Sequence, residues 1–403
     1  MPSTMTFNQA ATLLNAIQQQ ATGQAALTAT DLSEFVSAAT TTLQTGYDPV
    51  MQAISQVISR TIFSIRPYRR RFGLAEVSDT AYGNHVRKLT PIDKPISEDD
   101  RYKWPVTHDA THTANPMGDG ESVDMQVINK QKALQTNFYG QNDYEIQWTL
   151  FSNQLDVSFL NPEEFGAFVS GKIQTISDQV EQKHESMARM IIANMIAGII
   201  SINNAPQIVH LLTEYNAKTG LSLTATTVYD PANYPAFIKW VYGRIAQVSS
   251  MLTERSIVYH QNVTGKEIAR HTPYERQLVY LYAGERYGIE SRVIADVFHD
   301  NYLKLADTES VNFWQSIGTP DSINIVPTYM KTDGTLDTPQ SAVSQSKIFG
   351  IIADDEAMGY TICNQRTTQA AYNGEGEYQN FWLKFTDRYW NDFTENAVVL
   401  LLD

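Results

Sequence analysis

Histidines and carboxylates at short spacing come closest to a metal-binding pattern in this chain. His108 and His112 are four residues apart with Asp109 between them, and two imidazoles with a carboxylate could hold a divalent metal. The surrounding segment is rich in Thr and Asp, and no predicted helix holds the two rings on one face. The pattern therefore favours a solvated loop over a metal site.

Residues 262–267 read Asn-Val-Thr-Gly-Lys-Glu and end like a phosphate-binding loop. That motif needs a glycine where His260 stands and a Ser or Thr where Glu267 stands, so it fails at two of its anchors. The triplet Asn262–Thr264 matches a glycosylation acceptor, but the chain shows no route to secretion. Neither pattern predicts a site.

His184-Glu185 begins like a zinc-protease helix, but Ala188 stands where the second histidine is needed. A hydrogen-bonded core or boundary histidine is the favoured interpretation of His184. Acidic pairs such as 99–100 and 354–355 lie beside no base or nucleophile at a useful spacing. The sequence therefore predicts no catalytic residue, no cofactor site and no metal site.

Composition narrows the class of protein further. The chain has 403 residues, of which 42% are hydrophobic and only 18% are charged, so uncharged polar side chains must cover much of the surface. The single cysteine, Cys363, excludes an intrachain disulfide framework and a thiolate zinc site, and it is typical of a small apolar residue in or beside a strand. No uninterrupted apolar run reaches membrane length, and the first twenty residues lack the order of a signal peptide.

The net charge of -14 argues against a dedicated DNA-binding protein, because phosphate neutralisation needs a basic face. The one dense basic cluster is formed by Arg66, Arg69, Arg70 and Arg71. Short charge runs are more often solvated or salt-bridged than bound to nucleic acid. Nucleic acid could therefore be enclosed by this protein without being gripped along its whole surface.

The N-terminal part predicts helices that have no local partner sheet. One helix is expected at residues 7–20, and a second helical stretch at 31–64 is interrupted near Gly46 and Pro49. Residues 86–150 then indicate two extended arms, a short outgoing one at 86–92 and a returning one that ends at Leu150. The polar middle, 96–124, is too long for an ordinary turn and predicts a protruding loop.

The clearest signal is a long helix that begins at Pro162. Asn161 is a good N-cap residue, proline suits the first helical position, and two glutamates follow in the first turn. The helix should be roughly 50 Å long at about 1.5 Å per residue. One apolar stripe continues through Phe165, Val169, Ile173, Ile176, Val180, Met187, Ile191 and Met195.

The rest of the chain predicts a mixed α/β unit. Helices are expected after Pro231 and at Thr272, where Thr-Pro-Tyr-Glu matches a capping box. Strands are expected at 256–260, 323–329 and 347–353. The tail, 378–403, is aromatic and ends in a continuous apolar run, which is typical of a strand covered on both faces.

This order of elements resembles the Hong Kong 97 fold of tailed-bacteriophage major capsid proteins. Two strings, Gln135–Gly140 continuing through Asn161–Phe165 into the long helix, and Phe385–Val399, are similar to the small-podovirus branch. The resemblance implies an α+β fold with an N-terminal arm at 1–66, an extended E-loop at 67–150, a P-domain at 151–225, an A-domain at 226–345 and return strands at 346–403. Its P-domain would contain a spine helix at about 162–200.

The resemblance also implies a structural function and not a catalytic one. The chain would be a capsid shell subunit that assembles into pentamers and hexamers, with scaffolding and portal proteins as partners during assembly, and would enclose double-stranded DNA without sequence-specific binding. It would be made in the bacterial cytoplasm and reside in the virion, with no membrane partner. Some relatives crosslink a loop lysine, but nothing singles out one of Lys94, Lys103, Lys130 and Lys132.

Two other classes remain open at this stage. An α/β enzyme would need a pocket with convergent titratable groups. A phage tail-tube or other ring-forming protein would be mostly β-sheet and should lack a helix as long as residues 162–200.

Overall fold

The computed structural model describes residues 7–22, 32–44, 49–51, 75–76, 86–93, 126, 128, 130–159, 162–289, 308–339 and 341–403. The helices in these ranges are α1 Phe7–Thr22, α2 Leu32–Gln44, α3 Ser152–Phe159, α4 Pro162–Ile202, α5 Leu211–Thr219, α6 Tyr234–Thr253 and α7 Ala283–Ile289. The strands are β1 Ala75–Glu76, β2 Val86–Pro91, β3 Ala133–Phe138, β4 Gly140–Phe151, β5 Ile208–His210, β6 Gln277–Tyr282, β7 Thr308–Val311, β8 Ile323–Ile325, β9 Tyr329–Met330, β10 Leu336–Asp337, β11 Val343–Gln345, β12 Ile348–Asp354, β13 Met358–Gln369, β14 Tyr378–Asn391 and β15 Ala397–Leu401.

A five-stranded sheet with the order β5-β15-β12-β6-β7 is covered on both faces. In β15, Ala397, Val399 and Leu401 pack into the core that contains α4, while Val398 and Leu400 pack into the core formed with α5 and α6. Because side chains alternate across a strand, a strand covered on both faces must be apolar at every position. The predicted burial of the C-terminal run is confirmed.

A second sheet has the order β1-β13-β14-β4 and is covered on one face. Phe381, Leu383 and Phe385 of β14 are buried in a core shared with α1, α2 and α4. Trp148 of β4 stacks on Phe381 with ring centroids 5.8 Å apart. Asn380, Trp382, Lys384 and Thr386 lie on the other face and are only half-buried, so among the described residues β14 matches a sheet with one solvent-facing side.

Helix α4 connects the two cores. It has 41 residues, which corresponds to roughly 60 Å. Ile176 and Val180 pack against the four-stranded sheet, and Ile191 and Met195 pack against the five-stranded sheet. The predicted start at Pro162 is confirmed, and the helix is somewhat longer than predicted. The buried stripe is confirmed from Ile176 onward; the side chains of the earlier stripe residues lie outside the description.

The apolar C-terminal part of α4, Gln174–Ile202, is long and hydrophobic enough to cross a membrane by composition alone. Most of this segment is buried inside the protein, where Gly198 lets the ring of Phe393 lie directly against the helix. A Cβ at Gly198 would come within 2.5 Å of that ring. The hydrophobicity of the segment is thus explained by core packing.

The N-terminal helices pack beneath the four-stranded sheet of their own chain, so the expectation that they have no local partner sheet is wrong. Leu14, Ile17 and Phe35 are fully buried and belong to the core beneath the four-stranded sheet. The helix predicted at 7–20 is confirmed as α1, and the second stretch is confirmed at 32–44, with helical residues again at 49–51. Residues 52–64 of that prediction lie outside the described residues.

Two expectations for the α/β unit are wrong. Instead of a helix, Thr272 precedes a single 3-10 turn at Tyr274–Arg276 and then strand β6. The Thr272 hydroxyl donates to Asp354 at 2.8 Å, so it caps no helix, and pairing of Gln277–Tyr282 between β12 and β7 overrides the local signal. Residues 256–260 form no strand, only an isolated bridge between Ser256 and Arg270.

The other predicted elements of this unit agree with the structure, with one interruption. The helix after Pro231 is α6, and the strand expected at 347–353 is β12. The strand expected at 323–329 is split into β8 and β9.

Candidate assembly surfaces and the anchor of the hairpin arm

Strands β2 and β3 form a two-stranded antiparallel ribbon, here called the hairpin arm. Its register runs from Val86 opposite Phe138 to Pro91 opposite Ala133. Within the described residues, each of these strands pairs only with the other, so both outer edges of the ribbon have free backbone donors and acceptors. Such edges readily pair with another chain.

The residues of β2 and the two that follow it alternate between two sides of the arm. Lys88, Thr90 and Ile92 are partly buried against the rest of the chain, whereas Leu89 is 57% exposed. Tyr139, at the junction of β3 and β4, is 66% exposed. The arm therefore has one side directed to its own subunit and one side with apolar groups available to another molecule.

The subunit-facing side is held by the Lys88 cluster, which consists of Lys88, Glu356, Asp392 and Glu395. The Lys88 ammonium lies 3.0 Å from Glu356 and 3.1 Å from Asp392, and it also donates to Glu395. A lysine ammonium has three N–H donors. Each of them has a carboxylate partner here.

The cluster determines the ionisation of its members. Burial lowers the pKa of Lys88, but the carboxylates of Asp392 and Glu395 outweigh it and raise the pKa above its usual value. Burial would raise the pKa of Glu356, but hydrogen bonds from Arg276 and Lys88 lower it to about 2. At neutral pH the contact between Lys88 and Glu356 is therefore ionic, and Lys88 is held as a cation and not as a nucleophile.

Further contacts extend the anchor along the arm. Arg270 lies 3.0 Å from Glu395 and donates to the backbone carbonyl of Thr394 at 3.1 Å and to the Thr90 hydroxyl at 3.4 Å. Asp93, just past the end of β2, pairs with Arg255.

Apolar contacts are fewer. Leu134 of β3 is buried in the core that contains α4, and the ring of Phe138 lies 6.4 Å from that of Trp390. The arm is thus docked by polar contacts at several points and by a small apolar area.

A second candidate surface is the uncovered face of the four-stranded sheet. It contains a groove of about 680 Å³ whose lining includes Asp143, Glu145, Arg366, Lys384 and Thr386. Thr386 donates to Asp143 at 2.6 Å, and Lys384 lies 3.8 Å from Glu145. The groove mixes charges of both signs, two of which form an ion pair, and this mixture suits polar contact with protein better than capture of a single ion.

The residues considered for chemistry do not converge on one site. His108, Asp109 and His112 lie outside the described residues, as does the arginine cluster at 66–71. In the described part of the chain, no group of three or more His, Cys, Asp or Glu side chains could hold a metal ion. Residues 262–267 form a loop in which Gly265 has a φ of 74°.

His184 lies on α4 and is buried against β14, as expected for a core histidine, but neither of its ring nitrogens forms the expected hydrogen bond within the described residues. It is 2% exposed, and its Nε2 atom lies 3.4 Å from Oδ2 of the fully buried Asp387. Cys363 lies in β13, at the point where the register between β13 and β14 shifts. Of the loop lysines, Lys130 and Lys132 are exposed, while the other two lie outside the described residues.

Sequence reasoning missed the Lys88 cluster. Lys88 is separated from Asp392 by 304 residues and from Glu395 by 307. The acidic pair at 354–355, which the sequence left without a role, lies beside the cluster because Asp355 accepts from Arg276 at 2.7 Å. The one sequence feature that could have pointed to the cluster was the family-like string Phe385–Val399, which contains two of its three carboxylates.

Comparison with known proteins decides the class of this chain. A profile of the Phi29-like phage major capsid proteins matches residues 105–401, which is most of the chain. The chain belongs to this family. It is therefore a structural subunit of a phage capsid shell and not an enzyme, and the tail-tube alternative is set aside. No curated protein sequence matches it.

Solved structures show the same fold at low sequence identity. A capsid chain of Staphylococcus phage Andhra has a TM-score of 0.54 at 12% identity, over 83% of this chain and 84% of that one. A chain from the structure of the head fiber and inner core protein gp22 of bacteriophage P68 has a TM-score of 0.50 at 11% identity, over 84% and 89% of the two chains. The predicted α+β capsid fold of the Hong Kong 97 type is confirmed.

Proposed function

We propose that copies of this capsid protein associate into pentamers and hexamers through the hairpin arm. The observation that carries this proposal is the arm itself, a ribbon with free strand edges and with Leu89 and Tyr139 exposed on its outer side. An exposed apolar side chain beside a free edge is a liability for a monomer. It is useful where a neighbouring copy covers it.

The uncovered face of the four-stranded sheet is the proposed receiving surface on the neighbouring copy. Its polar side chains and the groove at Asp143 and Lys384 could pair with a ribbon laid across them. Each such contact is small, but closure of a shell repeats it many times and multiplies its effect. Weak individual contacts also allow misplaced subunits to leave before closure.

The proposal includes the division into an N-terminal arm, E-loop, P-domain, A-domain and return strands, with the A-domain directed toward the centre of each ring. The segment 346–403 contributes β12 and β15 to one sheet and β13 and β14 to the other. It therefore ties the proposed A-domain and P-domain together, so that a ring contact at one can be transmitted to the other.

Other partners are proposed from charge and from the family. With a net charge of -14, the shell would enclose double-stranded DNA without binding it along its surface. Assembly would take place in the bacterial cytoplasm and would involve scaffolding and portal proteins.

The proposed role of the arm is tested with Leu89→Asp. The side chain is exposed, so the subunit should fold with an unchanged far-UV spectrum, while closed particles should be lost in sedimentation and electron microscopy. Leu336→Asp is the matched control, because Leu336 is 71% exposed on β10, away from the arm. Normal shells from Leu89→Asp would show that the outer side of the arm contacts no neighbour.

A further inference from the structure

The contacts on the subunit-facing side of the arm differ in how strongly they can fix the direction of the arm. Ile92 and Leu134 pack against the core that contains α4, and apolar contact is non-directional. Lys88 instead has three carboxylate partners at defined positions. Contacts with charged groups depend on both distance and angle. Among the directional contacts of the arm Lys88 has the most partners, while Arg270 donates to Thr90 and Arg255 pairs with Asp93.

The partners of Lys88 lie where the chain crosses between the two sheets. Glu356 is in the turn from β12 to β13, and Asp392 and Glu395 are in the turn from β14 to β15. Asp392 is itself fixed, because its Oδ1 accepts from the backbone N–H and the hydroxyl of Thr394 at 2.9 and 2.6 Å. Lys88 thus ties the arm to a rigid junction of both sheets.

We propose that Lys88 is the positioning residue that sets the direction in which the hairpin arm leaves the subunit, and that closed shells require this direction. The proposal rests on the proposed role of the arm as a contact between copies. A ring closes only when the rotation between neighbours has the correct value, and other rotations lead to open assemblies. A misdirected arm should therefore produce soluble subunits or open aggregates instead of shells.

The test compares Lys88→Met, Lys88→Arg and the control Lys331→Met in the full chain. Lys331 pairs with Asp337 at 3.4 Å, so its substitution removes one paired lysine without removing a member of the Lys88 cluster. Hydrogen exchange of residues 86–93 and 131–138 is measured on unassembled subunits. Particle closure is measured separately by sedimentation and electron microscopy, with the other head proteins of the phage co-expressed.

Lys88→Met should speed exchange in the arm about tenfold or more, which corresponds to about 1.4 kcal/mol, because a ribbon of two strands without support is marginal. Exchange in α4 and β12 should stay unchanged. Closed particles should be lost, Lys88→Arg should recover most of the protection and closure, and Lys331→Met should resemble the unchanged chain. Equal arm protection in Lys88→Met, or an arginine variant no better than methionine, would overturn the proposal.

A milder variant covers the case in which Lys88→Met fails to fold. Glu356 is half exposed, so Glu356→Gln weakens the hold on Lys88 without leaving a buried charge unpaired. It should raise arm exchange and reduce closure, and no change in either would refute the proposal. If exchange rises as expected but shells still close, Lys88 anchors the arm and its effect on closure is disproved. If Leu89→Asp forms normal shells, the arm is not a contact between copies, and it is the proposed function that is refuted.

Discussion

The buried pair of His184 and Asp387 offers a sharp test of how α4 is fixed to the four-stranded sheet. His184 is 2% exposed and Asp387 is fully buried, with 3.4 Å between Nε2 and Oδ2. The imidazole also contacts the ring of Phe385 at 5.9 Å and that of Tyr360 at 6.3 Å. Within the described residues, neither side chain forms a hydrogen bond, so the close approach of the two groups is their main polar contact.

His184→Leu removes the imidazole and leaves the Asp387 carboxyl group in an apolar and aromatic site. Breaking a buried pair from one side costs about 3 to 5 kcal/mol, whereas replacing both partners by apolar residues of similar size is often neutral or stabilising. The free energy of unfolding of a domain is typically about 5 to 15 kcal/mol. We therefore expect a large loss in each single variant and a recovery in the double variant.

The assay is urea denaturation of unassembled subunits, followed by circular dichroism, for the unchanged chain, His184→Leu, Asp387→Leu and the double variant. The double variant should have a higher midpoint than either single variant, because neither polar group is then left without its partner. Additive losses would refute the reasoning, since they would show that the two side chains do not stabilise each other. Unchanged midpoints in both single variants would show that this contact does not hold the helix on the sheet.

Three other predictions remain, two from the structure and one from the sequence of residues 96–124, which lie outside the described residues. Val180→Pro, in the buried face of α4, should cost about 3 kcal/mol or more by removing a backbone hydrogen bond and clashing with the preceding turn, and its helical signal and melting temperature check this. Burial raises the pKa of Asp354 from 3.8 to about 6, so the folded state binds the carboxyl proton more tightly than the unfolded state does. The contribution of Asp354 to the free energy of unfolding should therefore rise as the pH falls through 6 toward 3.8. Asp354→Asn should lose that part of the pH dependence of the melting temperature. Replacing residues 96–124 by a short Gly-Ser linker should preserve the circular dichroism spectrum, because longer or shorter loops change closure entropy by only about 0.6 kcal/mol per doubling, and should abolish closed shells in sedimentation; normal shells would make the segment dispensable.

Local signals predicted the elements whose pattern agrees with their final environment. The cap at Asn161-Pro162 and the apolar stripe placed α4 within a few residues of its observed bounds, Pro162–Ile202. The continuous apolar run at the C terminus predicted β15, because a strand buried on both faces needs apolar residues at every position. The family strings indicated the class of protein before any geometry was known.

Local signals failed where tertiary pairing competed with them. The capping box at Thr272 is genuine in sequence, yet the threonine hydroxyl donates to Asp354 and the following residues pair as β6 between β12 and β7. A helix there would have left the backbone groups of two neighbouring strands without partners in the middle of a sheet, which costs more than a cap contributes. The segment expected as a strand at 256–260 pairs with Arg270 only at an isolated bridge, so no strand formed there.

From the sequence by itself, the element order and two family-like strings indicated a capsid shell subunit by resemblance, while composition, charge and failed motifs predicted no catalytic site; these are all local or additive properties of the chain. Only the tertiary structure decided how the hairpin arm is held. Lys88 meets Asp392 and Glu395 across more than 300 residues, and nothing about a lone lysine in a short strand predicts three carboxylate partners. Ion clusters of this kind depend on where separate turns converge, and that convergence exists only after both sheets have formed.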